Sequence, residues 1–231
     1  GLLKTTLLDY PGKVACTIFT SGCSYKCPFC HNRDLVYIPE NYQFLDVDEI
    51  FQFLDKRKNI LDGVCISGGE PLMQEKLIPF LKEIKKRGYE IKLDATGNYL
   101  DRLKEIVDAK LVDYIAMDVK NTKGKYALTV GSESENFPVE SIDACISYIR
   151  TCGIPYEFRT TIVRELHTKE DLIAMAKWLK GVDAWYLQQF QDSPNCIQEG
   201  FHSYNKQEML EILEAVKQYV PNAEVRGVKE D

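Results

Sequence analysis

With 231 residues, 26.5 kDa, 45% hydrophobic and 28% charged side chains, the chain has globular composition and enough apolar surface for a sizeable core. Its 29 Lys+Arg against 35 Asp+Glu give a net charge of −6, the opposite of the basic excess that grips nucleic-acid phosphates. No apolar run approaches the ~18 residues of a membrane span, and residues 1–20 lack the basic-then-apolar layout of a signal peptide. Eight cysteines are too few for a disulfide scaffold, so neither nucleic acid nor membrane is expected as a partner and a reducing, cytoplasmic setting is.

In chain order, short β-rich runs alternate with helical ones. Val14–Thr20 reads as the first strand. Asp46-Val-Asp-Glu49 resembles a capping box, and Val47, Ile50, Phe51 and Leu54 then keep helical spacing. Gly63–Ser67 is a short buried strand. The helix expected over 75–87 carries Leu77, Leu81 and Ile84 in a stripe, with Pro79 tolerable in its first turns. Tyr89–Asp94 is a strand, 99–109 a helix and Val112–Asp118 a strand, after which the polar stretch 121–137 reads as an irregular loop. A helix over 139–152 presents Ile142, Cys145, Ile146 and Ile149, with Gly153 suited to its C-terminal cap. Tyr156–Val163 is the fifth strand. Thr168 caps a helix bearing Leu172, Met175, Ala176 and Leu179; Ala184–Phe190 is the sixth strand and 205–220 the last helix.

Six consecutive βα units imply an α/β protein with a parallel sheet and right-handed crossovers. Polar residues follow nearly every strand. They include the cysteines after the first, Ser67 to Glu70 after the second, Asp94 and Thr96 at the third and Asp118 and Lys120 at the fourth. Arg159 and Thr161 lie on the fifth, and Gln188, Gln189 and Gln191 near the end of the sixth. Chemistry gathered at all strand ends favours an incomplete parallel (βα)6 barrel over a doubly wound sheet, which would collect only the ends at a switch point. A single domain is expected over 1–231, with a βα core at 14–203, a chemistry-bearing loop at 21–34 and a C-terminal helix and tail at 204–231.

The loop Cys23-Ser-Tyr-Lys-Cys27-Pro-Phe-Cys30 has C-x3-C-x2-C spacing. Three thiolates on a tight turn can hold three irons of a [4Fe–4S] cubane and leave the fourth open. A zinc site would need a further N or S ligand, for which His31 is adjacent, although structural zinc sites usually pair two separated ligand knuckles. Cys16, Cys65, Cys145, Cys152 and Cys196 read as structural, and His167 and His202 as surface residues of loops.

With Phe29 before the third cysteine and Gly68-Gly69-Glu70-Pro71 after the second strand, the chain resembles the radical S-adenosylmethionine (SAM) superfamily. That resemblance implies a partial barrel of the radical SAM type. It further implies a [4Fe–4S] cluster on Cys23, Cys27 and Cys30, with SAM on the open iron and its amino end held by Gly68, Gly69 and Glu70. Gly22-Cys23 through Cys27-Pro-Phe-Cys30-His31-Asn32-Arg33-Asp34 is similar to the activating enzymes of glycyl radical enzymes. Leu8-Asp9-Tyr10-Pro11-Gly12-Lys13 resembles most those of anaerobic ribonucleoside-triphosphate reductase. By resemblance to the formate-lyase activases, Asp94 and Asp118 would help hold a monovalent cation and Lys120 would contact SAM. Arg159 and Thr161 would lie near its ribose and adenine, and Gln189 would join the same pocket.

The chain departs from that pattern in two places. It reads Asp94-Ala95-Thr96-Gly97-Asn98 where the activases carry Asp-Thr-Asn-Gly, and Leu187-Gln188-Gln189-Phe190-Gln191 where they place a histidine. The activity implied is that of an oxidoreductase. An electron from flavodoxin or ferredoxin cleaves SAM, and a hydrogen atom leaves a glycine of a partner enzyme. The alternatives are a radical SAM enzyme acting on a small molecule, like 7-carboxy-7-deazaguanine synthase, and a non-catalytic zinc or Fe–S binding module.

Overall fold

The computed structural model describes residues 1–134 and 137–228. Its strands are β1 (Leu2–Thr6), β2 (Ala15–Thr20), β3 (Gly63–Gly68), β4 (Glu90–Ala95), β5 (Tyr114–Asp118), β6 (Tyr156–Ile162), β7 (Trp185–Gln189) and β8 (Ala223–Arg226). Its helices are α1 (Arg33–Val36), α2 (Val47–Lys56), α3 (Leu77–Lys86), α4 (Leu100–Asp108), α5 (Tyr126–Thr129), α6 (Val139–Ile149), α7 (Lys169–Trp178) and α8 (Lys206–Lys217).

The strand order of the sheet is β1 through β8, each next to its successor in the chain. A doubly wound sheet reverses its order at a switch point, and this one does not; the order is that of a singly wound βα barrel. The pairs β2–β3, β3–β4, β6–β7 and β7–β8 are parallel, whereas β1 runs antiparallel to β2. Two strands go beyond the six expected. β1 has three exposed side chains among its five, and β8 is only four residues long, so neither carries an alternation that sequence periodicity can detect.

Local chemistry sets the helix ends. Asp46 caps α2 by accepting from the Asp48 amide, while Thr168 with Asp171 and Asn205 with Glu208 form capping boxes on α7 and α8. Pro79 is the third residue of α3, where a missing N–H costs no intrahelical bond. The stretch expected as irregular at 121–137 contains a 3-10 turn over Lys123–Lys125 and the short helix α5; residues 135 and 136 lie outside the described residues. Lys125 to Thr129 is too short for its apolar positions to establish a helical period.

The chain divides into two compact units. One comprises Gly1–Ser24, Asp34–Ala116 and Ala144–Pro155, the other Tyr25–Arg33, Met117–Asp143 and Tyr156–Asp231. In the first, Leu54 of α2, Leu81 and Ile84 of α3 and Leu103 and Ile106 of α4 are fully buried, as are Ile66, Ile91 and Leu93 on the strands. Each such side chain contributes about 1.5–3 kcal/mol of apolar transfer free energy. In the second, β6 separates its faces by alternation. Phe158, Thr160 and Ile162 are buried, while Arg159 and Thr161 are half-exposed on the other face. Trp185 donates from Nε1 to Thr160 Oγ1 at 3.0 Å, and Thr160 in turn donates to the Val119 carbonyl at 2.7 Å, so the buried polar groups are satisfied. Among the described residues, no helix is long and apolar enough to cross a membrane.

Candidate active site

In the first unit, β2 delivers Thr20 to the start of the cysteine loop and β3 delivers Gly68 beside it. Gly69 N–H donates to the Thr20 carbonyl (3.0 Å) and Glu70 N–H to the Gly22 carbonyl (2.8 Å). Only glycine permits this approach. A Cβ on Gly69 would lie 2.0 Å from the Gly22 oxygen, and one on Gly68 2.3 Å from the Thr20 oxygen, with Gly68 also at φ +123°. Cys23 follows immediately. The Gly-Gly-Glu turn is therefore clasped to the backbone that leads into the first cysteine.

Glu70 is fully buried, and its carboxylate is committed to the scaffold. Oε1 accepts from the Leu72 amide (2.9 Å) and Oε2 from the Thr96 amide (2.7 Å). Charge-assisted bonds of this kind contribute about 1.5–3 kcal/mol each, so Glu70 fixes the turn and ties it to the end of β4. Asp94 accepts from Ser67 Oγ (2.9 Å) and from the buried Lys92 Nζ (2.5 Å). Glu90, Lys92 and Asp94 share one face of β4 by their period of two, a signal that was present in the sequence for Lys92.

In the second unit, Cys27 and Phe29 are buried and Cys30 half-buried; all three motif thiols, Cys23 included, are unbridged. Asp118, at the end of β5, accepts from Lys120 Nζ and from Arg159 Nε, both at 2.9 Å. Glu157 continues the alternation of charge, 4.0 Å from Arg159 and bonded by both Nη groups of Arg226 at 3.2 and 3.1 Å. Burial pushes the Asp118 carboxyl up, but Arg159 and Lys120 outweigh it and hold the group well below the usual carboxylate range. Burial likewise pulls the Lys120 ammonium down, and Asp118, followed by Cys27 and Cys30, pushes it above its ordinary value. Lys120 is thus a fixed positive charge near two of the motif cysteines.

Thr161 shares the face of Arg159, and in register the residue beside it on β7 is Gln188. Gln189 pairs with Ile162 on the opposite face, is buried, and donates to the Tyr204 carbonyl at 2.7 Å. Periodicity in a Gln-Gln pair gives no indication of which member faces which side. His31 places Nε2 against the Gln191 carbonyl and stacks on Phe190. Burial pushes the thiols of Cys16, Cys65 and Cys145 up to about 12.

The Radical SAM superfamily model matches residues 17–179 of the chain. The chain belongs to the radical SAM superfamily. The M. jannaschii (Methanocaldococcus jannaschii) protein MJ1227, assigned by name as a glycyl-radical enzyme activating enzyme, is 32% identical over 99% of this chain and 95% of its own. The pyruvate formate-lyase-activating enzyme of Clostridium pasteurianum is 29% identical over 76% of this chain and 73% of its own. Among solved structures, SuiB of Streptococcus suis bound to S-adenosylmethionine matches with a TM-score of 0.72 at 14% identity, over 91% of this chain but only 50% of its own. A radical SAM methyltransferase from Sphaerobacter thermophilus matches with a TM-score of 0.74 at 14% identity, over 94% of this chain and 67% of its own. These likenesses show the radical SAM fold.

His167 departs from the surface role expected of a loop histidine, because it is fully buried. Its Nδ1 lies 3.1 Å from the Val163 amide nitrogen and 3.2 Å from the Val163 carbonyl, and its Nε2 lies 2.7 Å from the Lys120 carbonyl. Burial lowers its pKa below the ordinary value of 6.5. Below about pH 6.5 the unfolded chain therefore takes up a proton that the folded chain refuses, and stability falls as pH drops until the folded pKa is reached. The urea midpoint of the wild type is expected to fall between pH 7 and pH 5 by more than that of His167→Gln. Equal slopes in the two proteins would remove His167 from the acid response.

Proposed function

We propose that this radical SAM protein is an activase that generates a glycyl radical on a partner enzyme. The observation that carries the proposal is the clasp of the Gly68-Gly69-Glu70 turn onto Thr20 and Gly22, directly before Cys23. The donor set fits the superfamily's cofactors. Cys23, Cys27 and Cys30 are three unbridged thiols on one short loop, one fewer than the irons of a [4Fe–4S] cluster, and this leaves a corner for SAM. When bound, the cluster supplies the electron that splits the SAM sulfonium bond into methionine and a 5′-deoxyadenosyl radical.

The chain's own residues do the rest. Gly68 and Gly69 present bare backbone at a turn that admits no side chain, which suits close approach to the amino end of SAM. Glu70 acts by holding that turn, since both its oxygens already accept backbone amides. Lys120 and Arg159, preset by Asp118, carry positive charge suited to an anionic group, and Thr161 offers a hydroxyl on the same face as Arg159. Phe29 is buried beside Cys30 in the chain, packing the loop and limiting water. Asp94 pairs with Lys92, and Asp118 with Lys120 and Arg159; by the family resemblance these two carboxylates would also be the candidates to hold a monovalent cation.

The partner class follows the full-length similarity to MJ1227. Within it, Leu8 to Lys13 supports anaerobic ribonucleoside-triphosphate reductase, with flavodoxin or ferredoxin as cytoplasmic electron donor. The test is anaerobic mixing of the reconstituted, reduced protein and SAM with that reductase. A glycyl doublet in the EPR spectrum of the reductase is expected. SAM cleavage without a doublet on this or any other glycyl radical enzyme would overturn the activase assignment.

A further inference from the structure

We infer that residues 190–198 form a strap that fixes the turn bearing Cys27 and Cys30, and that Cys196 is the positioning residue at its centre. The inference rests on the proposal that these two cysteines are cluster ligands, and it adds a determinant that lies far away in the sequence.

After β7 ends, the chain returns to the turn and contacts it at five points. Phe190 stacks on His31 with ring centroids 5.3 Å apart and an interplanar angle of 23°, and the Gln191 carbonyl meets His31 Nε2. The Cys196 thiol lies 3.8 Å from the Phe29 carbonyl, which it can donate to across 167 residues of chain. Ile197 N–H donates to the Cys30 carbonyl (3.2 Å) and Gln198 N–H to the Pro28 carbonyl (2.8 Å). Three successive carbonyls of the turn, those of Pro28, Phe29 and Cys30, are thus all taken up by residues 196–198. Within the turn itself, Cys30 N–H donates to the Cys27 carbonyl at 2.9 Å.

The physical consequence is preorganisation. Fixing the backbone of one residue costs about 1–2 kcal/mol, and a loop with no helix or strand of its own carries that cost into every metal-binding event. The strap meets the cost during folding. Cys196 is 4% exposed, and its own amide donates to the Ser193 carbonyl at 3.0 Å, which seats the thiol under the turn. A thiol that merely filled space could be replaced by alanine at little cost to the turn. One that orients the Phe29 carbonyl could not, and serine would restore its function.

The test uses the full chain in two states. In the apo-protein, amide hydrogen exchange at Cys30 and His31 is expected to be about tenfold faster in Cys196→Ala and in Ile197→Pro, which deletes the donor to Cys30. In the reconstituted protein, both variants are expected to release iron to a chelator about tenfold faster and to show a shifted cluster midpoint potential, with Cys196→Ser close to wild type; outer-shell partners of metal ligands typically carry effects of 10–100-fold. Unchanged exchange, release and potential in Cys196→Ala would overturn the strap, as would a serine variant as impaired as the alanine one. If Ile197→Pro loses its global circular dichroism, the Ala and Ser pair decides. If the wild type assembles no cluster, the ligand proposal fails, and the apo exchange measurements still decide the strap.

Discussion

Cys27→Ala is expected to keep the fold and lose reductive cleavage of SAM entirely. Cys27 lies in a loop outside every helix and strand, so its truncation removes one small buried group and no element of the core. Substitutions of this kind cost on the order of 1 kcal/mol. The same change removes one of the three proposed ligands, for which the sequence offers no nearby cysteine in compensation. The measurements are thermal unfolding, iron and sulfide content after anaerobic reconstitution, and 5′-deoxyadenosine formed under reduction. Cys16→Ala is the matched control. It also truncates a buried thiol, one whose pKa burial pushes up to about 12, and should turn over SAM normally. Comparable turnover in Cys27→Ala and Cys16→Ala would remove Cys27 from the site.

The second large effect is expected at Gly69. Alanine there places Cβ 2.0 Å from the Gly22 oxygen, and the obstacle is backbone, so no side-chain rotation relieves it. The turn must separate from residues 20–22, which breaks Gly69 N–H to Thr20 and Glu70 N–H to Gly22. Two hydrogen bonds at about 1 kcal/mol each, together with overpacking of about 1–3 kcal/mol, predict destabilisation of about 3–5 kcal/mol. SAM affinity should fall further, at least a hundredfold, because the displaced turn is the proposed cradle of its amino end. Gly124→Ala provides the contrast. Nothing lies within 4 Å of its built Cβ, and it should unfold within about 0.5 kcal/mol of wild type. Thermal unfolding with equilibrium SAM binding distinguishes the two variants; a Gly69→Ala protein with wild-type affinity would contradict the cradle.

What could be read from the sequence divides along a physical line. Cys23 to Cys30 and Gly68 to Pro71 were legible because spacing within a few residues carries the chemistry, and the strand-helix alternation was legible because its periods repeat. Interactions between distant residues were not. Nothing around His167 signals that its ring bridges Val163 and Lys120, and nothing around Cys196 signals Phe29. Glu70, which the resemblance places at the ligand, also braces the turn, and only the fold brings the Thr96 amide to its second oxygen. The resemblance places Gln189 in the pocket. The register Thr161–Gln188 places Gln188 on the face of Arg159, and no local pattern could decide between two adjacent glutamines. β1 and β8 escaped for a simpler reason: β1 is largely uncovered and β8 is only four residues long, so neither carries a readable period.

The most direct measurement is the product ratio of the reconstituted, reduced wild-type protein with SAM under strict anaerobiosis. Methionine and 5′-deoxyadenosine in equal amounts, formed only when iron and sulfide are each present at about four per chain, is the expected result. A protein that binds zinc through the same three cysteines, or that carries a full cluster yet leaves SAM intact, would contradict the central claim.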